Sequence, residues 1–555
     1  MPSRRLIARA VTAILTFIVL PFAAVHYYHQ TYAPQTGMMS AVPKPAAQHQ
    51  IVVVGAGLAG LAAAHAALTA SPTASVLLLE RAAKPGGNSI KASSGINGVP
   101  TRFQKPGLDS ADRFRDDTTR SAGARLLASS ATTAEAGLAR PAREALIARL
   151  ADRSADAVHW LHDTVGVDLS VVAQLGGHSA ARTHRGAGKT PPGFAIISAL
   201  LAQLNDGLGK GRFELRTGCE VTRLLTPSEG PRRVGGVEFS CAAADGDGDS
   251  KSSGSSTAEA AGPVVFATGG FAGDAGGLLA RHRPDLGPLP STNDAAAAVG
   301  LAVLARDAAA AMVDMDSVQV HPTGFVDPAR PAAPVKILAA ELLRGEGGIL
   351  LRGGARFVNE METREHVSAA VMAAPAAVDE RAAAADGGEA PPRQWDVQLL
   401  LDPGACEASA SHIGFYVFKG LMRKQKVRDL DEATRRAVRD YGDVVAGRKA
   451  DPFGRTAFGH WRLGAGGEGE SDYEDAEVCV GRVTPITHFT MGGAAINDRA
   501  QVLGAAGAPV EGLWAAGEVT GGLHGDNRLG GSSLLECVVF GRVAGEEAAR
   551  YVQSI

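Results

Sequence analysis

The clearest block of apolar positions, Ile51 to Val54, runs directly into Gly55 and then into an alanine-rich stretch. Gln48 to Leu68 therefore reads as strand, tight turn and helix. A second apolar block, SVLLLE, reads as a strand ending at Glu80. Further along, apolar runs enter turns of small residues in VVFATGGFAG (264–273) and in GLWAAGEVTGG, which opens the glycine-rich stretch 512–545. Polar stretches separate these blocks. Residues 241–262 read as a flexible Gly/Ser/Asp loop joining VGGVEF to PVVFAT, and 464–477 read as an acidic surface stretch. No internal repeat of solenoid period is present.

The N-terminal block has a different character. The first 79 residues contain no Asp or Glu, and Arg4, Arg5 and Arg9 precede the apolar run Val11 to Val25. That run is shorter than the roughly 20 residues of a spanning helix. Residues 1–45 are expected to be a targeting segment or membrane anchor outside the fold. The two readings are import into the mitochondrion and anchoring in the endoplasmic reticulum or another membrane.

A chain of 555 residues suits two domains sharing a cleft. A net charge of -3, a pI near 6.6 and the lack of a long basic stripe argue against a nucleic-acid partner and favour small ligands. Cys219, Cys241, Cys406, Cys479 and Cys537 lie far apart without metal-like or haem-like spacing. The expectation is no disulfide framework, no metal and no haem.

Chemistry enters with the first turn. Gly55, Gly57 and Gly60, with Ala56, Leu58 and Ala59 between them, follow a strand and open a helix, and Glu80 lies about 20 residues beyond. Such glycines let the backbone approach a pyrophosphate while the acid accepts ribose hydroxyls. This predicts a Rossmann-like dinucleotide site. Candidate cofactor contacts continue through Arg81, then Asn88, Ser89, Ala92, Ser93, Ser94 and Gly95. They end with Thr268, Gly269 and Gly270, then Glu518, Ser533 and Leu534. Basic residues gather elsewhere: His321 in HPTG, Arg344 in AAELLRGEGG, Arg364 in ARFVNEMETRE, His488 in THFTMGG and Arg528 in DNRLGG. Singly, Arg364 would pair with Glu360 or Glu362 on a helix face, and Arg528 would be a surface cation. Together they describe a positively charged pocket suited to a small dicarboxylate.

NSIKASSGING, HPTG, ELLRGEGGILL, RFVNE with TR, HFTMGG and HGDNRLGG occur in this order. In these motifs the chain resembles the fumarate reductase and succinate dehydrogenase flavoprotein family, above all its soluble eukaryotic fumarate reductases, over about residues 50–550. The resemblance implies an α/β fold, with a Rossmann-like FAD-binding domain (50–315 and 490–555) and an inserted α+β capping domain (316–489). It implies non-covalent FAD, because GGNSIKASSG lacks the histidine that carries the flavin in membrane-complex relatives. It implies His321 and His488 on the substrate carboxylates, Arg528 as a bidentate clamp and Arg364 as proton donor. Glu341 and Arg344 match the relay positions. Ala340 stands where many relatives carry a substrate-binding Thr, and Thr323 and Thr490 remain available as hydroxyl donors to substrate. The implied reaction is reduction of fumarate to succinate with electrons from NADH or reduced flavin. The alternatives are a related flavin oxidoreductase such as an L-aspartate oxidase-like enzyme, or a flavoprotein subunit of a membrane complex.

Overall fold

Gln50–Val54 lies inside a six-stranded sheet, paired in parallel with Ser75–Leu79 on one side and Val264–Phe266 on the other. Phe213–Arg216 and Pro509–Ala515 extend this sheet in parallel, and Gln501–Leu503 closes one edge antiparallel. Gln50–Val54 and Ser75–Leu79 are unbroken apolar runs buried along nearly their whole length, as strands covered on both faces should be. In this computed structural model the described residues are 49–128, 138–188, 190–226, 233–242, 256–294, 299–339, 342–343, 345–377, 392–466 and 469–555. The N-terminal segment lies outside them, as do Ala340, Glu341 and Arg344.

Every residue from Leu58 to Leu68 is buried, which explains why the helix Leu58–Ala70 shows no polar stripe. The C-terminal helix Ser532–Ser554 lies along it so closely that a Cβ on Gly545 would stand 2.1 Å from Ala63 O. A glycine there is a packing requirement.

A second, antiparallel sheet is built from 318–490. Its long strand Glu477–Thr490 pairs with Val318–Phe325 along one half and with Val397–Leu401 and Met422–Lys426 along the other. Ile349–Arg352 and Ala355–Arg356 complete it. This part carries its own apolar cluster, which includes Ile349, Leu400, Tyr441 and Trp461.

Two expectations are corrected. Cys219 is disulfide-bonded to Cys241, its direct partner across antiparallel strands, and Cys406 to Cys479. Strand pairing joins Cys219 to Cys241, 22 residues on, and the helix Pro403–Ala408, which follows a strand paired with Glu477–Thr490, brings Cys406 to Cys479, 73 residues on; spacing alone reveals neither. Within the stretch read as a flexible loop, Ser256–Ala261 is a strand paired with Gly236–Cys241. Within the acidic stretch, Glu470–Asp475 is a short helix.

Candidate active site

The turn after the first strand is built by two glycines with different tasks. Gly55 has φ 101°, and a Cβ there would meet Ala267 O at 2.4 Å, whereas one on Gly57 would meet nothing nearer than Ser89 Oγ at 3.8 Å. The first makes the turn possible. The second leaves room for a ligand against the backbone. Leu58–Ala70 starts at Gly57 with no side-chain cap and no acid in its first turn, a suitable end for an anion. Gly60 lies within that first turn, and the Leu58 N–H donates to Ser89 Oγ at 3.3 Å. Glu80 accepts from the backbone N–H groups of Ala56 and Ala82, each at 2.8 Å, so its carboxylate is fixed at the end of its strand. Arg81 stands half-buried beside it.

Asn88 precedes a single 3-10 turn, Ser89–Lys91, and Ala92 O accepts the Gly193 N–H at 3.0 Å. Ser93 and Ser94 follow half-buried, and Gly95 leads into the strand Ile96–Asn97. Thr268, with Gly269 and Gly270 behind it, holds a buried hydroxyl that lacks a hydrogen-bond partner. Ser533 and Leu534 open the C-terminal helix, which likewise has no side-chain cap. Open space at Gly57, uncapped helix starts and the orphaned Thr268 hydroxyl fit an extended phosphate-bearing ligand such as FAD.

The basic pocket is assembled around the paired strands Val318–Phe325 and Glu477–Thr490 of the second sheet. Val318–Phe325 is buried throughout, and its pairing with Glu477–Thr490 is interrupted between Gln319 and Val320 and again between His321 and Gly324. Such irregularities re-aim side chains. The rings of His321 and His488 lie 5.6 Å apart, edge to face. The Thr323 N–H donates to His321 Nδ1 at 3.3 Å, so Nδ1 carries the lone pair and Nε2 the proton. Arg528 stacks over Phe489 at 4.3 Å and donates to Gln319 Oε1 at 3.0 Å. Gln319 Nε2 donates back to Asn527 Oδ1 at 2.7 Å and Arg528 O at 3.1 Å.

Arg364 is the first residue of the helix Arg364–Met372, whose N-cap, Thr363, accepts the His366 N–H at 3.2 Å. Only 7% exposed, it brings its Nη2 within 3.3 Å of where a Cβ on Gly530 would sit. Glu360 is engaged elsewhere, by Arg356 at 2.7 Å and Arg455 at 2.9 Å.

Burial holds His488 well below the usual imidazole range, and Arg528 and Arg364 push it further down. The same three groups thus sit within electrostatic reach, and His488 is neutral at pH 7. Its Nδ1 lies 2.9 Å from Thr292 Oγ1. Glu518 is pushed up to about 7 by burial, against the opposing Thr490 N–H bond of 3.0 Å and with Glu536 adding to the rise. Glu536 is itself paired with His524. The two threonines hold protein groups: the Thr323 hydroxyl lies 3.2 Å from His321 Nδ1, and the Thr490 hydroxyl 3.4 Å from Glu518 Oε1.

His321, Arg364, His488 and Arg528 are therefore brought together, while Glu341 and Arg344 lie outside the described residues. Gln319, Phe489 and Thr292 escaped the sequence reading. Gln319 had a readable signal, because it sits two residues before His321 and so on the same face of its strand.

Residues 50–534 match the family model of the FAD binding domain. The chain is 40% identical to fumarate reductase 1 of Saccharomyces cerevisiae, over 90% of this chain and 98% of that protein. It is 36% identical to the fumarate reductase of Schizosaccharomyces pombe, over 90% and 89%. Among solved structures it is similar to the open conformation of a flavocytochrome c3 fumarate reductase, with a TM-score of 0.67 and 29% identity over 91% of this chain and 78% of that one. Sheet, cradle and basic pocket define a flavin-dependent oxidoreductase. Within that class the chain belongs to the fumarate reductase and succinate dehydrogenase flavoprotein family, and its cofactor is FAD.

Proposed function

We propose that this enzyme reduces fumarate to succinate, with His321 and His488 on the substrate carboxylates, Arg528 as their clamp and Arg364 as proton donor. The observation that carries this reading is the convergence of the buried His321, the half-buried His488 and two buried arginines next to the FAD cradle. FAD, held by the Gly55–Gly60 turn, Glu80, the Asn88–Gly95 stretch, Thr268 and Glu518, supplies hydride when reduced.

The protein's own groups do the rest. His321 presents Nε2–H because Thr323 occupies Nδ1, so it donates to a carboxylate oxygen. His488, kept neutral by burial, adds a hydrogen bond without adding charge. Arg528 is held flat by Phe489 and fixed by Gln319, which presets its planar fork for a two-point grip. Negative charge develops on the carbon next to the clamped carboxylate, and donors already placed there are worth roughly 3–4 kcal/mol each. Arg364 holds the proton that this carbon accepts. An acid as weak as a guanidinium is adequate because the acceptor is a carbanion, itself a strong base. In this proposal Glu341 and Arg344 return the proton to Arg364.

The reductant is NADH or reduced free flavin. For location, the N-terminal segment supports import into the mitochondrion, while two disulfides support the alternative of an oxidising lumen such as the endoplasmic reticulum. Fractionation of cells expressing the full chain decides between the two.

The proposed activity is tested anaerobically with reduced viologen and a panel of unsaturated acids. Fumarate should exceed monocarboxylates such as acrylate by about 100-fold or more in kcat/KM, because a site built to hydrogen-bond a group rejects analogues that lack it. Preference for a monocarboxylate overturns the reading. Acid precipitation should release yellow flavin into the supernatant, and flavin retained in the pellet contradicts the non-covalent link.

A further inference from the structure

Among the described residues ten large apolar side chains are exposed, and five of them, Val335, Ile337, Phe415, Val417 and Phe418, belong to one edge of the capping part. The helix Ala410–Phe418 contains no Lys, Arg, Asp or Glu. Ile413 and Tyr416 anchor it inward, and Tyr416 Oη donates to Leu338 O at 3.0 Å, which sets the segment holding Val335 and Ile337 beside it. Phe415 and Phe418 point the other way, 46% and 82% exposed. Contiguous exposure of this kind marks an interaction surface rather than scattered surface apolarity.

The surroundings say which kind. Lys419 Nζ lies 6.0 Å from both phenyl rings, and the strand Met422–Lys426 that follows exposes Arg423 and Lys424. From Lys419 to Arg428 there are five cations, Lys419, Arg423, Lys424, Lys426 and Arg428. Glu477 answers Lys424 and Asp475 answers Lys426 and Arg428, whereas Lys419 and Arg423, nearest the aromatic tip, enter no ion pair among the described residues. An aromatic and aliphatic tip ringed by lysine and arginine matches an anionic lipid interface, where apolar groups enter the headgroup boundary and long basic side chains stay with the phosphates. Lysine is depleted at protein–protein interfaces, and basic side chains along an edge strand discourage pairing with a second copy. Both points favour lipid over protein.

We propose that this edge of the cap, with Phe415, Val417 and Phe418 inserted and Lys419 and Arg423 on the headgroups, seats on an anionic membrane surface. It is a second contact, independent of the N-terminal segment and of the substrate reading. The same helix places His412 in a cleft of about 220 Å³ that Ser93, Arg185 and Glu346 also line. A membrane at Phe418 therefore lies next to the joint between cap and FAD-binding part.

Hydrogen exchange of the full chain, with and without vesicles, reads this face directly whatever the N-terminus does. Phosphatidylserine–phosphatidylcholine vesicles should slow exchange across 410–426 several-fold, and pure phosphatidylcholine vesicles should leave it unchanged. A Phe415→Ser/Phe418→Ser double variant and a Lys419→Glu/Arg423→Glu double variant should each lose that protection. Both should keep full flavin content and the wild-type exchange pattern elsewhere, which separates lost docking from lost folding. The proposal is overturned by no protection from either vesicle, by equal protection from neutral vesicles, or by lipid-free protection that grows with protein concentration and so reports a second copy.

Discussion

The FAD cradle and the dicarboxylate pocket are adjacent but built by opposite means. The cradle's defining groups, Gly55, Gly57, Gly60 and Glu80, come from two consecutive strands and the helix between them, and their geometry is set by backbone. The pocket joins Gln319 to Arg528 across 209 residues and adds Arg364 and His488 from two further elements. A change in the cradle should therefore cost fold and cofactor together. A change in the pocket should cost chemistry and leave the fold standing.

The largest effect expected is on the pocket side. Arg364→Ala should lower fumarate reduction by about 10⁴-fold or more, since the step loses a general acid and a cation placed for developing charge. Flavin content and melting temperature should stay near wild type, and Arg364→Lys should recover little because it cannot reproduce the planar fork. Loss of flavin alongside activity would erase the contrast between the two regions.

On the cradle side, Gly55→Ala should yield protein with little bound FAD. It forces φ 101° on a residue with a Cβ, at a strain of about 1–3 kcal/mol, before counting the 2.4 Å approach to Ala267 O. Absorbance of the purified variant checks this, and full flavin occupancy would contradict it.

Glu518 links the regions and gives a pH signature. Its folded value of about 7 lies above the ordinary 4.5, so the folded protein keeps a proton that the unfolded chain has lost. Stability from this group is fully present below pH 4.5 and is lost as pH rises to about 7, by about 3 kcal/mol. Glu518→Gln should flatten the melting temperature over that window. An unchanged slope would assign the pH dependence to another group.

The smallest effect sharpens the pocket itself. Gln319→Leu removes one of the acceptors that hold Arg528 and should raise the KM for fumarate about 10-fold, as loss of a charge-assisted bond of about 1.5–3 kcal/mol would. An unchanged KM would make Gln319 a bystander.

The parallel sheet and its glycine turn were legible because each is written in adjacent residues, an apolar run, a turn and a helix. The four basic groups were legible as separate short motifs. Their convergence, and Gln319 and Phe489 as holders of Arg528, depend on register between distant strands. The paired cysteines were misread for the same reason, since Cys219 faces Cys241 only once two strands align. Glu518 shows a further limit. Its residue type was visible, but its raised pKa comes from burial beside Glu536, a residue on another element.

The central claim is that Arg364 protonates fumarate in a pocket separate from the FAD cradle. The direct measurement is single-turnover reoxidation of prereduced enzyme by excess fumarate, followed by flavin absorbance in wild type and Arg364→Ala. Reoxidation slowed about 10⁴-fold in the variant, with equal flavin content and unchanged reoxidation by a small artificial oxidant, is the result predicted. Fumarate reoxidising the Arg364→Ala flavin at the wild-type rate would show that the proton comes from elsewhere.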